Sequence, residues 1–196
     1  DLHGLTAERI FGKGYTKQQR SIGKTINFAI GYGVQAKALS RKFSVPYETA
    51  ENWINQFWKS YRKLYLWVEK QHAFVRKHGW IASRFGRVRH LPEALIKDLP
   101  KWQMAALLRQ ASNYPIQSAG ADINNLACIK LSRQLKGDSR IILPVHDSVM
   151  VDCPKKEIKE VSALCKEVME NQLQKECSWL KVKLKVDQVI AQRWGN

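Results

Sequence analysis

Two short stretches hold residue types that could do chemistry. In "RSIGKTINFAIGYG", Arg20, Lys24 and Phe28 recur every four residues, so a helix would set them along one face. No acid sits at the helical spacing that would neutralise the two cations. Such a face offers charge for a triphosphate and a flat ring for its base or sugar. It is also the pattern of a solvated basic face with one core Phe. The second stretch is "ILPVHDSVMVD", where His146, Asp147 and Ser148 lie between the apolar runs Ile141 to Val145 and Val149 to Val151. These runs predict two short buried strands meeting at a tight turn. Asp147 then either shapes that turn, as Asp commonly does, or holds something in front of it.

The elements that position these groups follow from periodicity and punctuation. Residues 16 to 43 predict helix, broken where Gly31 and Gly33 flank Tyr32. From Pro46, which suits a first helical turn, Trp53, Phe57, Tyr61, Leu64, Val68 and Phe74 recur at helical spacing until Gly79. "GWIASRFGRVRHLPE" predicts a short hairpin with three arginines on or near its turn. Residues 101 to 136 predict helix interrupted at Pro115. The two strands around His146 and Asp147 come next, then a helix from about Pro154 to Glu176. Last, "LKVKLKVDQVI" alternates Lys181, Lys183 and Lys185 with Val182, Leu184 and Val186, the pattern of a half-buried strand. Many helices with a strand–strand–helix–strand end predict an α+β fold with antiparallel pairing.

Composition narrows the partner. The chain has 196 residues, 44% of them hydrophobic, enough for a packed core. Its 33 Lys and Arg outnumber 17 Asp and Glu, for a formal charge of +16. That excess points to a polyanion, either nucleic acid or an anionic membrane surface. No apolar run approaches the roughly 18 residues of a membrane span. The basic residues are scattered over several elements, and no helix sets a broad basic face against a continuous apolar one, so a membrane role is disfavoured. No secretory signal opens the chain. Cys128, Cys153, Cys165 and Cys177 show no C-x-x-C spacing, which argues against zinc and a disulfide framework and for reduced, intracellular thiols. The chain opens on Asp1 rather than Met, as expected of a trimmed, processed or incomplete product.

Five blocks carry a family resemblance. "RSIGKTINFAIGYG" resembles the fingers-helix motif of family A DNA polymerases, Arg-x3-Lys-x3-Phe/Tyr-x3-Tyr-Gly, matched by Arg20, Lys24, Phe28, Tyr32 and Gly33. "DLHGLTAERIFG" resembles the segment before it, with Asp1, His3, Thr6, Ala7 and Phe11 in register. "FGRVRHLPE", "RQASNYPIQSAGADINNLACIKL" and "PVHDSVMV" resemble three further blocks of that family, in family order and with family-like spacing. The resemblance implies a helical fingers subdomain over 1–112 and the C-terminal part of an antiparallel palm sheet with packed helices over 113–196. The stretch 1–112 is implied to be mainly fingers, with the start of the chain adjoining the palm. The resemblance also implies that Arg20 and Lys24 hold the phosphates of a deoxynucleoside triphosphate, with His3 near the outer ones. Phe28 would pack on sugar and base, and a Phe there is implied to disfavour dideoxynucleotides. Tyr32 would stack by the templating base. Arg109, Asn113 and Gln117 would face the minor groove and backbone of primer-template DNA, and Arg87 and Arg89 the backbone. Such contacts suit an enzyme that accepts every correct pair, because phosphates and minor-groove acceptors do not spell out sequence.

The same resemblance makes Asp147 a magnesium ligand and sets His146 beside the primer end, with Lys24, His146 and Asp147 the catalytic group. Phosphoryl transfer by two Mg²⁺ ions needs hard oxygen ligands. The activity implied is template-directed addition of deoxynucleotides by an intracellular, cytoplasmic protein of bacterial or viral origin. Two departures stand out. Ser148 replaces the Glu that follows His-Asp in the family, which implies altered metal dependence, since a hydroxyl adds no charge. The family's other metal-binding Asp lies upstream of the block that begins at Asp1, and neither Asp122 nor Asp152 matches a catalytic position. An upstream polymerase segment or a second chain is therefore expected to supply that carboxylate and the thumb. The alternative from another class is a non-catalytic DNA-binding remnant of a polymerase, which would need cations but neither a metal carboxylate nor a stacking Tyr.

Overall fold

A computed structural model describes residues 1–193. The chain divides after Ile116 into two compact units, each described by itself. The first begins with α1 (Leu2–Phe11) and α2 (Lys17–Gly31). Asp1 caps α1, its carboxylate accepting from the His3 amide. Thr16 opens α2 with a reciprocal capping box: its hydroxyl accepts from the Gln19 amide, and the Gln19 side chain accepts from the Thr16 amide. The two helices approach closely at Gly23, where a Cβ would press on the Ala7 amide and the His3 carbonyl. After α2 come α3 (Ala36–Phe43), α4 (Tyr47–Ser60) and α5 (Arg62–His78). Ile22, Ile26 and Ile30 of α2, Leu39 of α3 and Trp53 and Phe57 of α4 form one core.

One helix is expected from Pro46 to Gly79; two are found, parted at Tyr61. Tyr61 takes non-helical backbone angles, its hydroxyl lies 2.7 Å from that of Thr6, and its ring packs 4.6 Å from Phe57. Anchoring on both sides holds the chain out of helical geometry there. The Gly-punctuated segment forms the expected hairpin, β1 (Trp80–Ala82) with β2 (Val88–His90), antiparallel. Val75, Ile81, Leu91, Ala94 and Ala111 form a second core behind it.

Pro115 does not interrupt its helix. A single α6 runs from Lys101 to Gln134 through it. Proline removes one ladder hydrogen bond and bends a helix, yet the helix continues on both sides of it. The Ser112 hydroxyl bonds back to the carbonyls of Leu108 and Arg109 in the preceding turn.

The second unit holds β3 (Arg140–Val145) and β4 (Ser148–Asp152), paired antiparallel with Val145 opposite Ser148 and a bulge between Ile141 and Leu143. Pro144 sits within β3, a place proline takes on an edge strand. Helical residues follow as α7 (Ile158–Lys166), a π-helical stretch Glu167–Gln172 and α8 (Leu173–Glu176). Ala127, Leu131, Val161, Val168, Leu173 and Cys177 are its buried apolar positions. The strands expected to be buried are only partly so: Ile142 is 58% and Leu143 44% exposed. A two-stranded sheet has a face that its own unit leaves uncovered.

The expected last strand is not one. Residues 180 to 190 pair with no strand among the described residues. Helix side chains take their backbone groups instead: Glu170 accepts from the Val186 amide, and Gln174 accepts from the Leu184 amide and donates to the Leu180 carbonyl. Gln188 exchanges two hydrogen bonds with Ser162. Two amides of the alternating segment, those of Leu184 and Val186, are thus held by side chains and not by a strand ladder. Cys128, Cys153, Cys165 and Cys177 are free. No described helix is long and apolar enough to cross a membrane.

Candidate functional site

The first group of site residues gathers where α1 lies against α2. Arg20, Lys24 and Phe28 share one face of α2, and all three are exposed. Phe28 is 57% exposed, so it is no core residue. Its ring lies 5.5 Å from that of His3. The Asn27 amide lies 3.0 Å from Nδ1 of His3, and the Thr6 hydroxyl lies 2.9 Å from the Asn27 carbonyl oxygen. Thr6 meets Tyr61 as well, so a polar chain from α1 through α2 to the α4–α5 corner holds the His3 ring beside Phe28. Thr6 and Asn27 were not legible as site residues. Thr6 lay within a quoted block, but only packing shows what its hydroxyl does.

The expectation that both cations lack a partner holds for Lys24 and fails for Arg20. Lys24 makes no ion pair among the described residues, whereas Arg20 donates through Nε and Nη2 to one oxygen of Asp1, at 2.9 and 2.7 Å. The partner comes from the cap of α1, outside the helix that carries Arg20. A phosphate reaching Arg20 would take the place of that carboxylate on the guanidinium fork.

Tyr32 follows α2 and is 58% exposed. Gly33 beside it has φ +67°, and the aliphatic stem of Arg109 packs where a Cβ would stand. Gly33 thus lets the chain turn left-handed while Arg109, half-buried on α6, fits beneath. Gly33→Ala combines an unfavourable φ with that collision and should destabilise the fold by about 1–3 kcal/mol. Thermal unfolding would show it, with Gly14→Ala, also at positive φ but in open space, the milder control. Arg109, Asn113 and Gln117 succeed one another by four along α6, one row of a helix face. Arg89 donates to Gln110 at 2.7 Å, and its guanidinium lies 5.8 Å from the Tyr114 ring centre. Arg87 is exposed on the loop before β2.

His146 and Asp147 form the two-residue turn between β3 and β4. His146 is left-handed at φ +53°, an uncommon state for a residue with a side chain. Buried Asn124 of α6 helps hold the turn: its amide donates to the His146 carbonyl at 3.2 Å, while its own Oδ1 finds no partner among the described residues. The Ser148 hydroxyl donates to the Val145 carbonyl at 2.8 Å and closes the turn. Asp147 is exposed and makes no hydrogen bond or ion pair among the described residues, so it is not needed to shape the turn. A free carboxylate on a braced turn fits one ligand of a hard divalent ion. No set of three or more His, Cys, Asp or Glu among the described residues is placed to hold a metal. Asn124 was missed in the sequence; an Asn facing inward on a helix gives no signal until its carbonyl partner is known.

The arrangement is a cationic, aromatic helix face in one unit and a carboxylate turn in the other. Comparison with known proteins agrees with the resemblance of the five blocks. The model of DNA polymerase family A matches residues 1–196. The thermostable DNA polymerase I of Thermus thermophilus is 35% identical over 201 aligned positions, covering 99% of this chain and 23% of that protein. The DNA polymerase I of Deinococcus radiodurans is 33% identical over 198 positions, covering 99% and 20%. In structure, the polymerase domain of Pol1 from M. smegmatis, solved in complex with DNA primer-template and dNTP, superposes with a TM-score of 0.78 at 29% identity, covering 87% of this chain and 31% of that one. The chain belongs to DNA polymerase family A. It spans under a quarter of the length of these curated relatives.

Proposed function

We propose that this chain is the C-terminal fingers-and-palm part of a DNA-directed DNA polymerase, with residues 1–112 mainly fingers and 113–196 palm. The observation that carries the reading is that the family match runs unbroken from 1 to 196, through both the cationic helix and the carboxylate turn. In this reading Lys24 and Arg20 bind the phosphates of an incoming deoxynucleoside triphosphate, His3 approaches the outer ones, and Phe28 lies against sugar and base. Tyr32 stacks by the templating base. Arg109, Asn113 and Gln117 follow the minor groove of primer-template DNA, and Arg87 and Arg89 its backbone. His146 lies beside the primer end, and Asp147 holds magnesium. Mg²⁺ held at Asp147 would supply the charge that lowers the pKa of the primer hydroxyl and offsets the departing pyrophosphate. The chain's own part is to orient the two reactants and to keep cations facing the charge that develops.

One carboxylate is too few for that chemistry. The second is proposed to come from the palm segment that precedes Asp1 in the family, whether in the same polypeptide or in a partner. The test is primer extension by the chain alone and then with such a segment added; templated addition by the chain alone would refute the need for a second carboxylate. Ser148→Glu should lower the Mg²⁺ concentration giving half-maximal rate several-fold, because it adds a charged oxygen ligand next to Asp147. A superimposable Mg²⁺ titration would contradict this. One observation favours a second reading, a non-catalytic DNA-binding remnant: the hydroxyl at 148 is spent on the turn, where the family carries a carboxylate.

A further inference from the structure

At the corner between α4 and α5 lies an open, shallow cleft of about 530 Å³ lined by Asn52, Asn55, Trp58, Lys59, Arg62 and Tyr65. None of the candidate site residues takes part in it. Its aromatic wall is fixed: Trp58 meets Tyr65 edge-on with ring centres 5.6 Å apart, and Trp58 also packs edge-on to Phe57 of the core at 5.3 Å. Arg62 lies over the Tyr65 ring at 4.9 Å. Both rings are half-buried, so each keeps a surface toward the cleft. Around them, Asn52, Asn55 and Lys59 are exposed and make no side-chain hydrogen bond or ion pair among the described residues. No acid lines the cleft.

We propose that this cleft binds a single-stranded nucleic acid, taking one unstacked base on the face of one ring, Trp58 or Tyr65, and against the edge of the other, while Lys59 and Arg62 hold the neighbouring phosphates. The chemistry selects this occupant. An aromatic face stacks any base, and cations beside it track the backbone. The two amides can meet the edge of a base that has lost its pairing partner. Duplex DNA hides its base faces in its own stack and leaves the aromatic wall unused. The net charge of +16 draws a polyanion to the surface. The cleft does not depend on polymerase activity, since a non-catalytic remnant would carry it equally, so the two ideas fail separately.

The full 196-residue chain, in the presence of EDTA, would be irradiated with a short single-stranded deoxyoligonucleotide carrying 5-iododeoxyuridine, and the adducts located by mass spectrometry. Crosslinks at Trp58 or Tyr65 are expected; crosslinks confined to other peptides would overturn the proposal. In fluorescence anisotropy with the same strand, Tyr65→Leu and Arg62→Ala should each weaken binding about five- to tenfold. Asn55→Ala, at an exposed position that leaves folding alone, should weaken it about two- to threefold. Lys37→Ala, which removes one exposed charge on α3, should leave it within about twofold. Equal effects of the cleft variants and Lys37→Ala would also overturn the proposal.

Discussion

Asp147→Asn is expected to slow templated nucleotide addition by about a thousandfold or more, the loss of several kcal/mol of metal-borne charge stabilisation. The substitution keeps the shape of the side chain and removes its charge. The turn should survive, because Asn124 and Ser148 bond to its carbonyls and Asp147 itself bonds to nothing there. Single-turnover incorporation, with the upstream palm segment supplied, measures the loss. Primer-template affinity measured without metal should stay within a few-fold. A rate within tenfold of the parent would rule out Asp147 as a metal ligand.

Lys24→Ala should lower kcat/KM for the incoming nucleotide by about a hundredfold to a thousandfold, the usual consequence of deleting one preorganised group facing developing charge. Lys24 is the cleaner probe of the helix face. It is exposed and makes no ion pair among the described residues, so its removal leaves no buried charge behind. Arg20→Ala would also release Asp1 from its ion pair and so disturb the cap of α1. Pre-steady-state incorporation across nucleotide concentrations separates binding from chemistry. Unfolding of Lys24→Ala should match that of the parent, and an unchanged kcat/KM would contradict the triphosphate role.

Local patterns were readable where one element explains itself. The spacing of Arg20, Lys24 and Phe28 predicted a shared helix face, and the apolar runs around Asp147 predicted the hairpin. What sequence did not show lies between elements. Asp1 is nineteen positions from Arg20 yet pairs with it, because the ends of α1 and α2 meet only after both helices pack. Tyr61 fits a helical repeat perfectly well, and only its bonds to Thr6 and Phe57 show why the helix stops there. Pro115 looks like a break because proline loses a hydrogen bond, yet α6 continues on both sides of it. The alternation at 180–190 says nothing about what accepts its amides; Gln174 and Glu170 take those of Leu184 and Val186. Asn124 behind the His146 turn belongs to the same class, a contact between residues far apart in sequence.

The most direct test of the polymerase reading is single-nucleotide addition on a defined primer-template with Mg²⁺, each of the four deoxynucleotides offered separately, with the upstream palm segment added to the chain. The account predicts that only the nucleotide complementary to the templating base is joined to the primer and that Asp147→Asn abolishes the signal. Tight primer-template binding with no addition of any nucleotide would contradict it and leave the DNA-binding remnant as the reading of this chain.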